Sequence, residues 1–149
     1  MTQYPPRQAV LTVPPAVEPL TLAEVKLFLR IDSADEDSLL NSLITVAREL
    51  AENYLGKVLI TQTWQMSQAH VAGQQVPLVP APLQSVSSVK TVLNNLETTL
   101  DAADYKLAVT KDALTFTNNF QIDSIIVEMV VGYGAAEEVP APIKQGILH

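Results

Sequence analysis

The feature that most constrains this chain is a change of hydrophobic period at Gly56. From Glu36 to Leu55 the apolar residues fall at Leu39, Leu40, Leu43, Ile44, Ala47, Leu50, Ala51, Tyr54 and Leu55, the i, i+3, i+4 spacing of a helix. Gly56 then stands where a helix C-terminus calls for left-handed backbone, which glycine adopts without a Cβ clash. Just beyond it, Ile60-Thr61-Gln62-Thr63-Trp64-Gln65-Met66-Ser67 alternates with period two and is rich in β-favouring residues. Such a chain is expected to be α+β, an N-terminal helical pair packed with an antiparallel β-rich region over about 58–132.

On the N-terminal side, residues 1–19 carry five of the ten prolines and read as an extended arm, polyproline-like in part. Thr21-Leu22-Ala23-Glu24 is a capping box, and Leu20 with Val25 is placed as a hydrophobic staple. It opens a short helix over about 22–30. An acidic link, Asp32 to Asp37, leads to the helix of 36–55, with Ser33 and Glu36 as a second capping box and Asp35 as a competing N-cap. Beyond the first strand, Gln75 to Leu78 reads as a short edge strand, since proline is tolerated there. Val86 to Leu93 and Glu97 to Leu100 pair across an Asn94-Asn95 turn. Tyr105 to Val109 and Ala113 to Phe116 form a hairpin around Lys111-Asp112. Ser124 to Val131 is apolar on both sides, which predicts a central strand covered on both faces. Gly132-Tyr133-Gly134 ends it. Pro140 and Pro142 then open a helix over about 142–149. The expected organisation is an arm (1–19) and one domain (20–149), with the sequence stopping where a helix is starting, as in a truncated product.

Few routes to catalysis are open. The chain has no cysteine, two histidines and five glycines. Asp32 and Asp35-Glu36-Asp37 fail as a calcium loop, because Asp37 stands at the sixth position and Leu43 at the twelfth; they read as charges at a helix start. His70 lies in a polar stretch with no nucleophile elbow nearby and reads as an exposed loop histidine. Gly132-Tyr133-Gly134 lacks the further glycine and the lysine of a phosphate loop. Trp64 and Met66 read as core. No catalytic residue, cofactor or metal site is therefore expected. The net charge is −7 with nine scattered Lys and Arg, the opposite of the basic stripe that tight nucleic-acid binding needs. No apolar run reaches the roughly eighteen residues of a membrane helix, and Met1 to Arg7 lacks the pattern of a signal peptide. Synthesis in the cytosol follows as an expectation.

Surfaces remain. The helix of 36–55 is apolar over a wide arc once Val46 is included, so it must be covered on several sides, by its own β-region or by a neighbouring subunit. The proline-rich arm is either a disordered leader or a strap that orders against a partner.

The residues in order also resemble a known family. Glu18-Pro19-Leu20-Thr21-Leu22-Ala23-Glu24-Val25-Lys26 followed by Leu29-Arg30-Ile31-Asp32 is similar to the opening of phage head–tail connector (adaptor) proteins. The likeness continues through Leu39 to Ile44, Ala51-Glu52-Asn53-Tyr54-Leu55-Gly56-Lys57, Leu59 to Trp64, Leu83 to Val86, Gly132-Tyr133-Gly134 and Val139 to Gln145. It spans 18–148 and fits the members with a β-rich insertion between helices. The resemblance implies a ring of about twelve subunits at the head–tail junction of a virion, made in the host bacterium. The ring docks under a portal protein, receives a stopper or tail-completion protein, and lets DNA pass without specific binding. It implies neither catalysis nor a cofactor. Twelve copies at −7 would carry roughly −84, which repels DNA phosphates. Another head-completion or minor tail protein, and a small ligand-binding α+β domain, are the alternative readings. The residues expected at subunit or portal contacts are Pro14 and Pro15 of the arm, Leu43 and Leu50 of the long helix, and Pro142, Ile143 and Ile147 near the chain end.

Overall fold

A computed structural model describes residues 7–149 except 71, 72, 74 and 120. It is α+β, as the change of period requires. The described elements are β1 (Arg7–Val13), α1 (Leu22–Leu29), α2 (Asp37–Leu55), β2 (Gln62–Ala69), β3 (Val76–Pro77), β4 (Leu83–Leu93), β5 (Leu96–Thr99), β6 (Tyr105–Leu107), β7 (Ala113–Phe116), β8 (Ser124–Val131) and α3 (Ala141–Leu148). The strands form two antiparallel sheets, one of order β1-β2-β8-β4-β5 and one of order β3-β7-β6.

Local chemistry explains most boundaries. Thr21 Oγ1 accepts from the Glu24 amide at 3.2 Å and Glu24 Oε2 accepts from the Thr21 amide at 2.7 Å, so the first capping box closes in both directions. Gly56 takes φ 64°, and its amide donates to Glu52 O. The second capping box does not form: Glu36 is the N-cap and its side chain makes no capping hydrogen bond. Of the acidic link, only Asp37 lies in the first turn of α2, where its carboxylate accepts from Lys26 Nζ at 2.7 Å instead. Asn94 and Asn95 both take positive φ, 52° and 64°, as a tight hairpin turn demands.

Two expectations are corrected in the β-region. Residues 7–13 of the arm are extended, but they are a β-strand with a defined register on β2 rather than free polyproline. Sheet pairing satisfies backbone groups that polyproline leaves to water. Strand β8 is central, lying between β2 and β4. However, Ile125, Val127, Met129 and Val131 are fully buried while Ile126 and Val130 are half-buried, so only one face carries the core. That core, with Met66, Val76, Leu78, Val89 and Leu114, fills the space beside the second sheet. Trp64 packs against its edge and Met66 lies within it. A second cluster, Leu59, Ile60 and Val139 with Ile143 and Ile147, joins the helices to the strands. Gly132 fixes this junction: a Cβ there would stand 2.6 Å from Ile60 O.

Candidate subunit interface

Helix α2 buries a narrower stripe than its sequence suggests. Only Leu40, Ile44 and Arg48, one i+4 row, are buried. Leu39, Leu43, Val46, Leu50 and Tyr54 are all about half exposed or more, Tyr54 at 90%. The face continues onto α1, where Leu27, Phe28 and Leu29 are exposed. At 100° per residue, three consecutive apolar side chains cannot share one buried side. That run was the sequence signal for an open α1 surface, and a reading centred on α2 alone misses it.

Helix α3 forms against this face. Pro142 occupies its first turn, where a missing N–H costs nothing, and Pro140 O accepts from the amides of Ile143 and Lys144 at 2.9 and 3.2 Å. Ile143 and Ile147 turn inward to the second cluster, and Phe28 meets His149 edge-to-face at 5.3 Å. Between α2 and α3 an apolar groove of about 570 Å³ stays open, lined by Leu50, Tyr54, Leu55, Pro142, Ile143 and Ile147 among others. A smaller hollow of about 160 Å³ beside it is lined by Leu43, Phe28 and Ile147. Five of the seven expected contact residues are thereby brought to one side of the molecule. Pro14 and Pro15 are not; they line a different groove, also of about 570 Å³, with Leu11, Trp64, Val79 and Pro80.

The two regions are tied by a polar network. Arg48, 6% exposed, donates from Nε to Glu18 Oε2 at 2.7 Å and from Nη1 to Glu52 Oε2 at 2.8 Å. Glu18 also accepts from Thr45 Oγ1, and Glu52 Oε1 accepts from the Leu59 amide and Gln62 Nε2. Gln62 Oε1 in turn accepts from Trp64 Nε1 at 3.0 Å. Burial works against the charge on Arg48, but the bonds to Glu18 and Glu52 hold its pKa above the ordinary arginine value. Glu18, three residues ahead of Thr21 of the first capping box, is thus clamped to α2 and, through α2, to β2. A lone Arg on an otherwise apolar stripe was the available signal for this network.

His70 is not an exposed loop residue. It is half-buried at the end of β2, stacked edge-to-face on Phe116 at 5.2 Å, and burial pushes its pKa below the usual histidine value. Its Nδ1 and Gln68 Oε1 are buried and find no hydrogen-bond partner among the described residues. Among the described residues no three His, Asp or Glu side chains gather as a metal site. No described helix is long and apolar enough to cross a membrane.

An α+β chain with a broad, open apolar helical face has the kind of surface that marks protein–protein contact. Residues 19–144 match the profile of the phage gp6-like head–tail connector proteins, and the chain belongs to that family. The fold has solved counterparts in particle necks. It is similar to a chain in the neck of an empty gene transfer agent particle computed with C6 symmetry, with TM-score 0.75, 22% identity, and 95% of this chain and 79% of that one covered. A chain of the native gene transfer agent virion gives TM-score 0.72 at 21% identity, with the same coverage. One from the native neck computed with C12 symmetry gives 0.69 at 21%, covering 93% and 79%. No curated protein matches at a significant level. The family and these neighbours are structural virion components.

Proposed function

We propose that this chain is a non-enzymatic subunit of a closed ring at the head–tail junction of a phage, prophage or gene transfer agent particle. The ring stands between a portal protein and a stopper or tail-completion protein, and DNA passes through it without specific binding. The protein is made in the host cytoplasm and acts in the virion. The observation that carries this reading is the open apolar face of α2 and α3 on a chain of the connector family. Fully burying one leucine side chain is worth about 1.5–3 kcal/mol, so covering Leu43, Leu50, Tyr54 and the rim of Pro142, Ile143 and Ile147 is a substantial drive to associate. A ring needs a heterologous contact, in which this face meets a different patch of the next copy. The C6 and C12 symmetries of the neck structures that share the fold support such an arrangement. A net charge of −7 per copy supports a channel wall that repels phosphate.

The test is to make Leu43→Asp and Leu50→Asp and to follow mass against concentration, negative-stain images, incorporation into particles and the thermal melt. The expected result is lost assembly and lost incorporation with an unchanged melt. Unfolding of both variants would place these leucines in the core instead, and undiminished assembly would remove the face from the contact.

A further inference from the structure

The space between α2 and the larger sheet is bridged rather than packed. Of the nine apolar side chains in the helical pattern of α2 only Leu40 and Ile44 are buried, and they turn to the hollow shared with α1 and α3. Among the described residues no α2 side chain joins the core of the sheets, and Ala51 alone reaches the second cluster. Toward β1 and β2, the C-terminal half of α2 instead borders the open groove of about 570 Å³, to which the helix brings Arg48, Glu52 and Asn53 and the sheet brings Leu11, Gln62 and Trp64. Hydrogen bonds cross this gap. Arg48 Nε donates to Glu18 Oε2 at 2.7 Å, on the segment that follows β1, and Arg48 Nη1 donates to Glu52 Oε2 at 2.8 Å. Glu52 Oε1 accepts from the Leu59 amide at 2.9 Å and from Gln62 Nε2 of β2 at 3.1 Å. Apolar contact is non-directional, whereas charge-assisted hydrogen bonds are short and directional. The angle between α2 and the sheet therefore rests on these bonds.

We infer that Arg48 is a positioning residue for ring closure. Bonded to Glu18 and Glu52, it fixes the tilt of α2 against the larger sheet, and through that tilt the turn from one copy to the next. This role rests on the ring reading. In a heterologous contact the helical face of one copy meets a different patch of its neighbour. Outside the helices, the exposed large apolar side chains all lie in the arm and the β-region, Val10, Val13, Leu96 and Val109 among them. The angle between helices and sheet is then part of the angle between neighbours. Its tolerance is small. In a twelvefold ring, the symmetry with which one related neck was computed, each copy turns about 30° from the last, and one copy fewer makes that about 33°. The 19 residues of α2 span about 28 Å, so a tilt by that difference moves the far end of the helix only about 1.3 Å. Bonds of 2.7 and 2.8 Å hold such a margin, and an open groove does not.

Arg48→Lys keeps the charge but lacks the planar fork that bonds both carboxylates, so it separates angle from charge. The chain has no cysteine. Ser38→Cys near the start of α2 and Gln65→Cys on β2, both exposed, therefore carry a clean pair of spin labels. In dilute monomer the expected result is one narrow distance distribution for the parent and, for Arg48→Lys, one broadened or shifted by about 1 Å or more. Assembled rings, weighed by native mass spectrometry and counted in negative-stain images, should hold one copy number for the parent and several, with open arcs, for Arg48→Lys. Val89→Ala opens a cavity in the sheet core; it controls for lost stability and should keep the parent's copy number. An unchanged label distance, a single unchanged copy number in Arg48→Lys, or mixed rings in Val89→Ala overturns the proposal. So does a folded Arg48→Lys that no longer associates, since the network would then belong to the contact itself. If Arg48→Lys does not fold, Gln62→Leu, which removes the bond from Glu52 to β2, takes its place under the same criteria. The label distance is read without a ring, so its failure leaves the ring reading standing, whereas a parent that forms no ring, alone or in particles, overturns both.

Discussion

Replacing Arg48 with methionine keeps a long side chain in the stripe and removes the charge that holds two carboxylates. Arg48 is 7% exposed at its side chain, Glu52 14% and Glu18 28%. Deleting one partner of a buried ion pair costs about 3–5 kcal/mol, because the other charge is left uncompensated. Glu18 is partly solvated, which screens its share, so the lower end applies and Arg48→Met should cost about 3 kcal/mol. For a domain of this size each kcal/mol moves the melting temperature by about 3–4 °C, so the midpoint should fall by about 10 °C. The sharper comparison adds Glu18→Gln and Glu52→Gln to Arg48→Met. The orphaned charges are then gone, while the amide oxygen of residue 52 can still accept from the Leu59 amide. The triple variant should regain about half of the loss. Thermal and urea unfolding, followed by circular dichroism, measure both. A loss below about 1 kcal/mol in Arg48→Met, or a triple variant no more stable than the single one, would refute the claim that uncompensated carboxylates carry the cost.

Three further outcomes are expected. Gly132→Ala places a Cβ 2.6 Å from Ile60 O at φ 116°, so it should destabilise by about 2 kcal/mol or more, and a melt within 2 °C of the parent, about half a kcal/mol, would contradict that. Leu40→Ala should cost about 2–5 kcal/mol, whereas Leu50→Ala, 64% exposed, should leave the isolated chain within about 0.5 kcal/mol of the parent; equal losses would show that α2 is covered on both sides within one copy. The neutral form of His70 is favoured by folding, so its folded pKa lies below its unfolded one. Its contribution is therefore intact above the unfolded value, near 6.5, and is lost as pH falls toward the folded value. Urea unfolding at pH 7 and pH 5 should show a larger drop for the parent than for His70→Phe, and parallel drops would remove the histidine from the account.

The local signals in the sequence were sufficient for much of this fold. A capping box, a glycine after a long amphipathic run, an Asn-Asn turn and a proline ahead of a final helix are decided within a few residues, and each forms as read. The order of elements followed from the change of period, and the resemblance to connectors lay in many short matches along the chain. What the sequence could not decide was which apolar residues are core. Nine apolar positions on α2 share its helical pattern, and tertiary packing buries only Leu40 and Ile44 of them while taking Arg48 into the same row. Periodicity measures what a face could bury, not what arrives to cover it. The same limit explains His70, whose polar neighbours suggested water until β7 brought Phe116 against it, and the arm, whose prolines hid a strand that only β2 could pair. The groove beside Trp64 is likewise a product of chain segments far apart in sequence. The sequence by itself determined the elements, because helix caps, turns and periods act over a few residues. Only the tertiary structure decided the surfaces, because exposure depends on where distant segments meet and where they stop.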